Sequence, residues 1–270
     1  MTAGGAIRVG IGGWDYDPWR ETFYPPKLAK AKQLEYAASQ LSAIEINATY
    51  YKLQKPDLYA RWAKAVPDGF KFAIKGSRYV SNRKVLGEAG EAVERFFGQG
   101  LEELGDKLGP VLWQFMATKR FDAEDFRAFL KLLPASVGGV ALAHALEVRH
   151  ESFRDPAFVA LAREHEVGIV FADSDEHPCI ADLSGPIAYA RLQRCRAEEA
   201  SGYCDSDLGR WAEVARGWAR GESPAELPYA AEPAPVRARD TYVFMIAGAK
   251  ERAPAAAMEL IARLKAGAEA

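Results

Sequence analysis

The stretch IEINATYYKL, residues 44–53, decides the fold. Ile44 and Ile46 read as one face of a short strand, and Glu45 and Asn47 share the other, because successive strand side chains point to opposite sides. A carboxylate and an amide inside so short an apolar run make sense if the isoleucines pack against helices and the polar pair points into the mouth of a barrel.

Seven further runs read as strands: AIRVGI (6–11), FKFAIK (70–75), PVLWQF (110–115), the end of ALAHALEVRH (141–150), GIVFAD (168–173), IAYARLQ (187–193) and TYVFMI (241–246). Apolar residues at helical spacing separate them. Leu34, Ala37, Ala38 and Leu41 form one such set, and Val93, Phe96, Phe97, Leu101 and Leu104 another. Leu208, Trp211, Val214, Ala215 and Trp218 form a third. Strand and helix alternating through long connections predicts parallel pairing, and eight such units predict a single-domain (β/α)8 TIM-like barrel over residues 1–270. An open doubly wound sheet is the competitor. No GxGxxG run between a strand and a helix supports it, since GIGGW lacks the third glycine. The Pro- and Ala-rich stretch 221–239 reads as an excursion before the last strand, because a boundary there would leave about thirty residues, too few to fold alone.

Composition narrows the function. The chain has 270 residues and a formal net charge of -2, so no global basic excess drives nonspecific nucleic-acid binding. No charged, then apolar, leader and no long apolar run is visible, which predicts a cytoplasmic protein with no membrane partner. The three cysteines, Cys179, Cys195 and Cys204, have no CxxC spacing and predict no disulfide.

Strand parity collects the polar residues. Glu147 and Arg149 share a face of the fifth strand, Arg191 and Gln193 share one of the seventh, Lys75 ends the third, Gln114 the fourth and Asp173 the sixth. Charges brought together out of water need pairing, water or a ligand. They are expected at the C-terminal mouth, where barrels of this kind form their sites. One reading is purely structural, with Glu45, Glu147 and Asp173 neutralised by Lys75, Arg149 and Arg191.

The same residues carry a resemblance. IGGWDYDPWRETFYPPKL, IEINATYYKL, FKFAIKGSRYVSN, LGPVLWQF, ALEVRHESF and GYCDSDLGRWA resemble the YecE-like family, proteins built on domain of unknown function 72. The resemblance implies a TIM-like barrel and no settled activity. It marks Trp14, Trp19, Glu45, Asn47, Lys75, Arg78, Tyr79, Gln114, Glu147, Arg149, His150, Asp173 and Arg191 as family-pattern positions. Two places depart from the pattern: Gln193-Arg194 stands where His-Gly is usual, and FMIAGAK (244–250) replaces an asparagine-rich segment.

The leading expectation is an enzyme using acid/base chemistry on a small polar, anionic ligand. Glu147, Glu45 and Asp173 are the candidate catalytic carboxylates. Asn47, Lys75, Arg78, Gln114, Arg149, His150 and Arg191 are candidate ligand contacts, with Arg suited to bidentate anion binding. Trp14, Tyr16 and Trp19 form either a stacking wall or a packed lid on the rim. A metal-dependent phosphoesterase would use Glu45, Glu147, Asp173 and His150, but the cations nearby oppose a divalent ion, so neither metal nor cofactor is expected. A nucleic-acid-binding module would use KGSRYVSNRK (75–84) with Arg191, Arg194 and Arg196. A non-catalytic ligand-binding protein is the remaining alternative.

Overall fold

The computed structural model describes residues 4–267. Eight strands close into a barrel: β1 (Ile7–Gly12), β2 (Ala43–Ile46), β3 (Lys71–Lys75), β4 (Leu108–Gln114), β5 (His144–Glu147), β6 (Gly168–Asp173), β7 (Ile187–Leu192) and β8 (Asp240–Met245). Each strand pairs in parallel with its neighbours in sequence, and β8 returns to β1 through Ile7 opposite Thr241 to Ile11 opposite Met245. Closure leaves the barrel sheet without a free edge.

Alternation along the strands sorts two cores. Ile44, Ile46, Ile74, Trp113, Leu146, Phe171, Leu192 and Met245 face outward into the packing beneath the helices. Ala43, Ala73, Leu112, Ala145, Val170, Tyr189, Tyr242 and Phe244 fill the interior. The filling is lopsided. Tyr189 and Phe244 lie 5.2 Å apart, centroid to centroid, and alanines on β2, β3 and β5 give those rings room. The interior is therefore a packed plug, as expected of an eight-stranded barrel.

Seven helices of eight residues or more surround it: α1 (Gln33–Gln40), α2 (Pro56–Lys64), α3 (Gly90–Phe97), α4 (Ala123–Leu130), α5 (Pro156–Glu164), α6 (Asp205–Arg220) and α7 (Ala253–Ala266). Their ends follow local chemistry. Asp122 caps α4 by accepting from the amides of Glu124 and Asp125, and Asp155 caps α5 ahead of Pro156. Gly221 ends α6 with φ 84°, a left-handed conformation that costs glycine little.

No helix follows β6. The link from Ser174 to Pro186 is irregular, and the 221–239 excursion supplies the missing cover. The buried Asp182 carboxylate accepts from the amides of Ala230 (2.7 Å) and Ala231 (3.1 Å), and Arg163 of α5 donates to the carbonyls of Leu183 and Glu232. Leu183, Leu227 and Ala234 are buried there. No helix among the described residues is long and apolar enough to cross a membrane.

Candidate functional site

Four charged side chains alternate across the top of the barrel interior in the order Arg149, Glu147, Arg191, Glu45. Arg191 reaches Glu45 through two parallel bonds, Nε to Oε2 and Nη2 to Oε1, each 3.0 Å. Its Nη1 donates to Oε2 of Glu147. The other oxygen of Glu147 accepts from Gln114 Nε2 at 2.9 Å and from Arg149 Nε and Nη2 at 2.8 and 2.7 Å. Glu45 also accepts from Asn47 Nδ2 (3.0 Å) and the Tyr189 hydroxyl (2.7 Å). Glu45 and Glu147 are fully buried, and Arg191 is nearly so.

These bonds saturate both carboxylates, since an ionised carboxylate offers about four lone-pair sites. Burial alone would push the Glu147 carboxyl up, but Arg191 and Arg149, helped by Gln114, hold it at about 2. Burial disfavours the Arg191 charge, and Glu147 and Glu45 outweigh it, raising the guanidinium further. Burial and the neighbouring Glu45 likewise raise the Tyr189 phenol. Glu147 is thus held as an anion at neutral pH by its guanidinium neighbours. A metal ion would have to displace arginine donors to reach either carboxylate. No group of three His, Cys, Asp or Glu side chains among the described residues is placed to hold one.

Lys75 stands apart. It ends β3 on the interior side and is 7% exposed. Thr49 Oγ1 donates to its carbonyl at 2.6 Å, which ties β3 to the short turn of helix Ala48–Tyr51. That turn sets Tyr50 against the amine, with Nζ 4.5 Å from the ring centroid. Among the described residues the amine makes no ion pair or hydrogen bond, and the Tyr50 ring is its one close cation–π partner. Burial, together with Arg191 and Arg149 and against the pull of Glu45 and Glu147, lowers its pKa to about 8. The cluster holds three cations, Lys75, Arg149 and Arg191, against two carboxylates, Glu45 and Glu147, so its formal charge is +1 with Lys75 protonated.

Other predicted site residues lie elsewhere. Asp173 does not join the cluster. It shares parity with Ile169 and Phe171, so it faces the outer shell, where Arg194 Nε lies 3.3 Å from it. It lines a groove of about 450 Å³ with Arg194, Tyr203, Arg210 and Trp211. Trp14 packs on Trp62 and Phe72 outside the barrel wall, and fully buried Trp19 donates its indole N–H to the Lys250 carbonyl. Tyr16 packs edge-on to Trp19, with the Lys250 amine over both rings. The three aromatics pack on neighbouring side chains, with Trp19 buried and Trp14 and Tyr16 partly exposed. His150 caps a short 3-10 turn through Ser152, and its Nε2 lies 3.4 Å from Arg120 on the rim.

Arg78 sits on the rim between Tyr51 and Tyr79, its guanidinium 5.7 and 5.5 Å from their ring centroids. Both rings are exposed, at 61% and 63%. A separate groove of about 780 Å³ is lined by Arg83, Lys84, Met116, Lys119, Arg120 and Asp125 among others. Two members of the mouth were missed in the sequence. Tyr189 shares strand parity with Arg191 and was legible on that ground. Tyr50 was not, because its direction depends on the helical turn that follows β2.

Comparison with known proteins agrees with the fold. The family described as "Protein of unknown function DUF72" matches residues 8–270. UPF0759 protein YunF of Bacillus subtilis is 27% identical over 223 residues, covering 77% of this chain and 76% of that protein. UPF0759 protein YecE of Escherichia coli K12 is 27% identical over 150 residues, covering 54% and 50%. A solved DUF72 family structure from Thermotoga maritima superposes with a TM-score of 0.72 at 20% identity, covering 96% of this chain and 99% of that one.

Proposed function

The chain belongs to the DUF72 family of proteins of unknown function, and we propose that its barrel mouth is the site of an enzyme acting on a small polar anion, with Lys75 as its proton-carrying group. The family description assigns no reaction, so the reading rests on the mouth. One observation carries it: Lys75, a buried residue whose amine has no hydrogen-bond partner among the described residues, lies beside a network in which both carboxylates are engaged by guanidiniums. A general acid or base works best with a pKa near the working pH, and at about 8 Lys75 meets that condition where Glu147 at about 2 does not. The +1 charge of the cluster favours an anion. Arg149, partly exposed, is the guanidinium available to orient it.

Thermal-shift measurements with phosphate, pyruvate and a sugar phosphate, set against neutral sugars of similar size, test the proposal. The anions should stabilise the wild-type protein, and Lys75→Met should lose that effect while remaining folded. Equal shifts in both proteins, or none with any anion, would remove the mouth from consideration.

The exposed Tyr51–Arg78–Tyr79 stack favours a second reading, a rim that binds single-stranded nucleic acid by base stacking and phosphate contact. That reading requires salt-sensitive oligonucleotide binding that is lost on Tyr79→Ala and retained on Lys75→Met. Binding indifferent to Tyr79→Ala rules it out.

A further inference from the structure

We infer that Lys75 is a nucleophile that condenses with the carbonyl of a small 2-oxo or aldehyde acid to form a Schiff base; this rests on the anion-binding reading of the mouth and names the substrate class.

A lysine whose only task is to hold an anion is expected to keep its charge and spend its three donors on acceptors. Among the described residues Lys75 has neither the paired carboxylate nor the acceptor that would do this. Its side chain is buried, with the amine 4.5 Å from the Tyr50 ring centroid, and it shares the mouth with two guanidiniums. Desolvation and adjacent cations are the two means by which proteins keep a lysine neutral and nucleophilic. Position adds to this. Lys75 projects from the C-terminal end of a strand, and its backbone is held on both sides by Thr49 Oγ1 on its carbonyl and by the Gly76 amide on Leu112 (2.8 Å). The base of the side chain is therefore fixed. Arg149, partly exposed beside Glu147, is the cation available to the carboxylate of the substrate.

The step balances without any further reagent. The neutral nitrogen attacks the carbonyl carbon and forms a C–N bond while the C=O π pair moves to oxygen. Both hydrogens of the amine leave with that oxygen as one water, and a C=N bond remains. Protonation of that imine by solvent leaves a cation beside the substrate carboxylate. At pH 7.5 an amine with a pKa of about 8 is roughly a quarter neutral, against about one part in a thousand for an ordinary lysine. Lys75 should therefore outcompete surface lysines by one to two orders of magnitude in reaction rate.

Trapping tests this on the full chain. Glyoxylate and cyanoborohydride at pH 7.5 should convert Lys75 to its carboxymethyl derivative at least tenfold faster than any other lysine, as read by peptide mass spectrometry. The labelling rate should rise with pH to a midpoint near 8, and oxalate, an anion without an electrophilic carbonyl, should slow it. Mapping in the wild-type chain keeps the test valid even if Lys75→Met folds poorly. Labelling spread evenly over the lysines, or absent from Lys75, overturns the inference. If oxalate still raises the melting temperature in that case, the anion site stands and the Schiff base alone falls. If oxalate has no effect either, both fall.

Discussion

Arg191 holds Glu45 in a bidentate grip, two bonds of 3.0 Å between a β7 side chain and a β2 side chain on the far side of the barrel interior. The same guanidinium reaches Glu147, so one side chain compensates two buried carboxylates. The pattern makes the interior electrostatically stiff: each charge in the row is opposed by a neighbour of the other sign.

Arg191→Met should therefore be severe. It leaves Glu45 buried without any cation partner, a change that costs on the order of 3–5 kcal/mol when one member of a buried pair is removed. Urea unfolding would show the midpoint fall. Arg191→Lys should recover little, because an ammonium cannot reproduce the two parallel bonds.

Acid should expose Glu147. Its folded pKa of about 2 lies below the ordinary 4.5, so its contribution is fully present above 4.5 and is lost as the pH falls from 4.5 to about 2. The gap corresponds to roughly 3 kcal/mol. Glu147→Gln should show a shallower loss of stability than wild type over that window, whatever its stability at pH 7.

Base should favour the wild type through Lys75. Here the folded pKa, about 8, lies below the ordinary 10.5. Between those values the unfolded chain binds the proton and the folded chain does not, so unfolding free energy rises with pH. Wild type should gain on Lys75→Met from pH 8 to pH 10, read by chemical denaturation at each pH. Parallel curves for the two proteins would mean that the amine is not held neutral by the fold.

The 221–239 excursion should detach when Asp182 is removed. Asp182→Ala leaves the amides of Ala230 and Ala231 without their acceptor. A loss of about 2–4 kcal/mol is expected for two orphaned donors. Limited proteolysis should cut between 221 and 239 faster in the variant, with the barrel left intact.

The residues that sequence placed correctly are those whose strands alternate visibly. Ile44 and Ile46 against Glu45, and Leu146 and Val148 against Glu147 and Arg149, state their own direction. β6 does not. Ile169 and Phe171 on one face and Val170 and Ala172 on the other are all apolar, as in strands buried on both sides, so Asp173 carried no sign of facing outward. Loop side chains were harder still. Nothing in the spacing of Trp14, Tyr16 and Trp19 separates a lid from a binding wall, because a loop has no fixed period. The missing helix after β6 has a similar cause. Its place is taken by a segment some forty residues later in the chain, and local pattern carries no trace of that contact.

The titration of Lys75 tests the account most directly. The protein labelled with ¹³C at lysine Cε can be followed by NMR, with Lys75 assigned by its loss in Lys75→Met. The account predicts a single midpoint near 8 for that resonance, well below those of exposed lysines, and an upward move when oxalate is added. A midpoint among the exposed lysines, unmoved by oxalate, would contradict it.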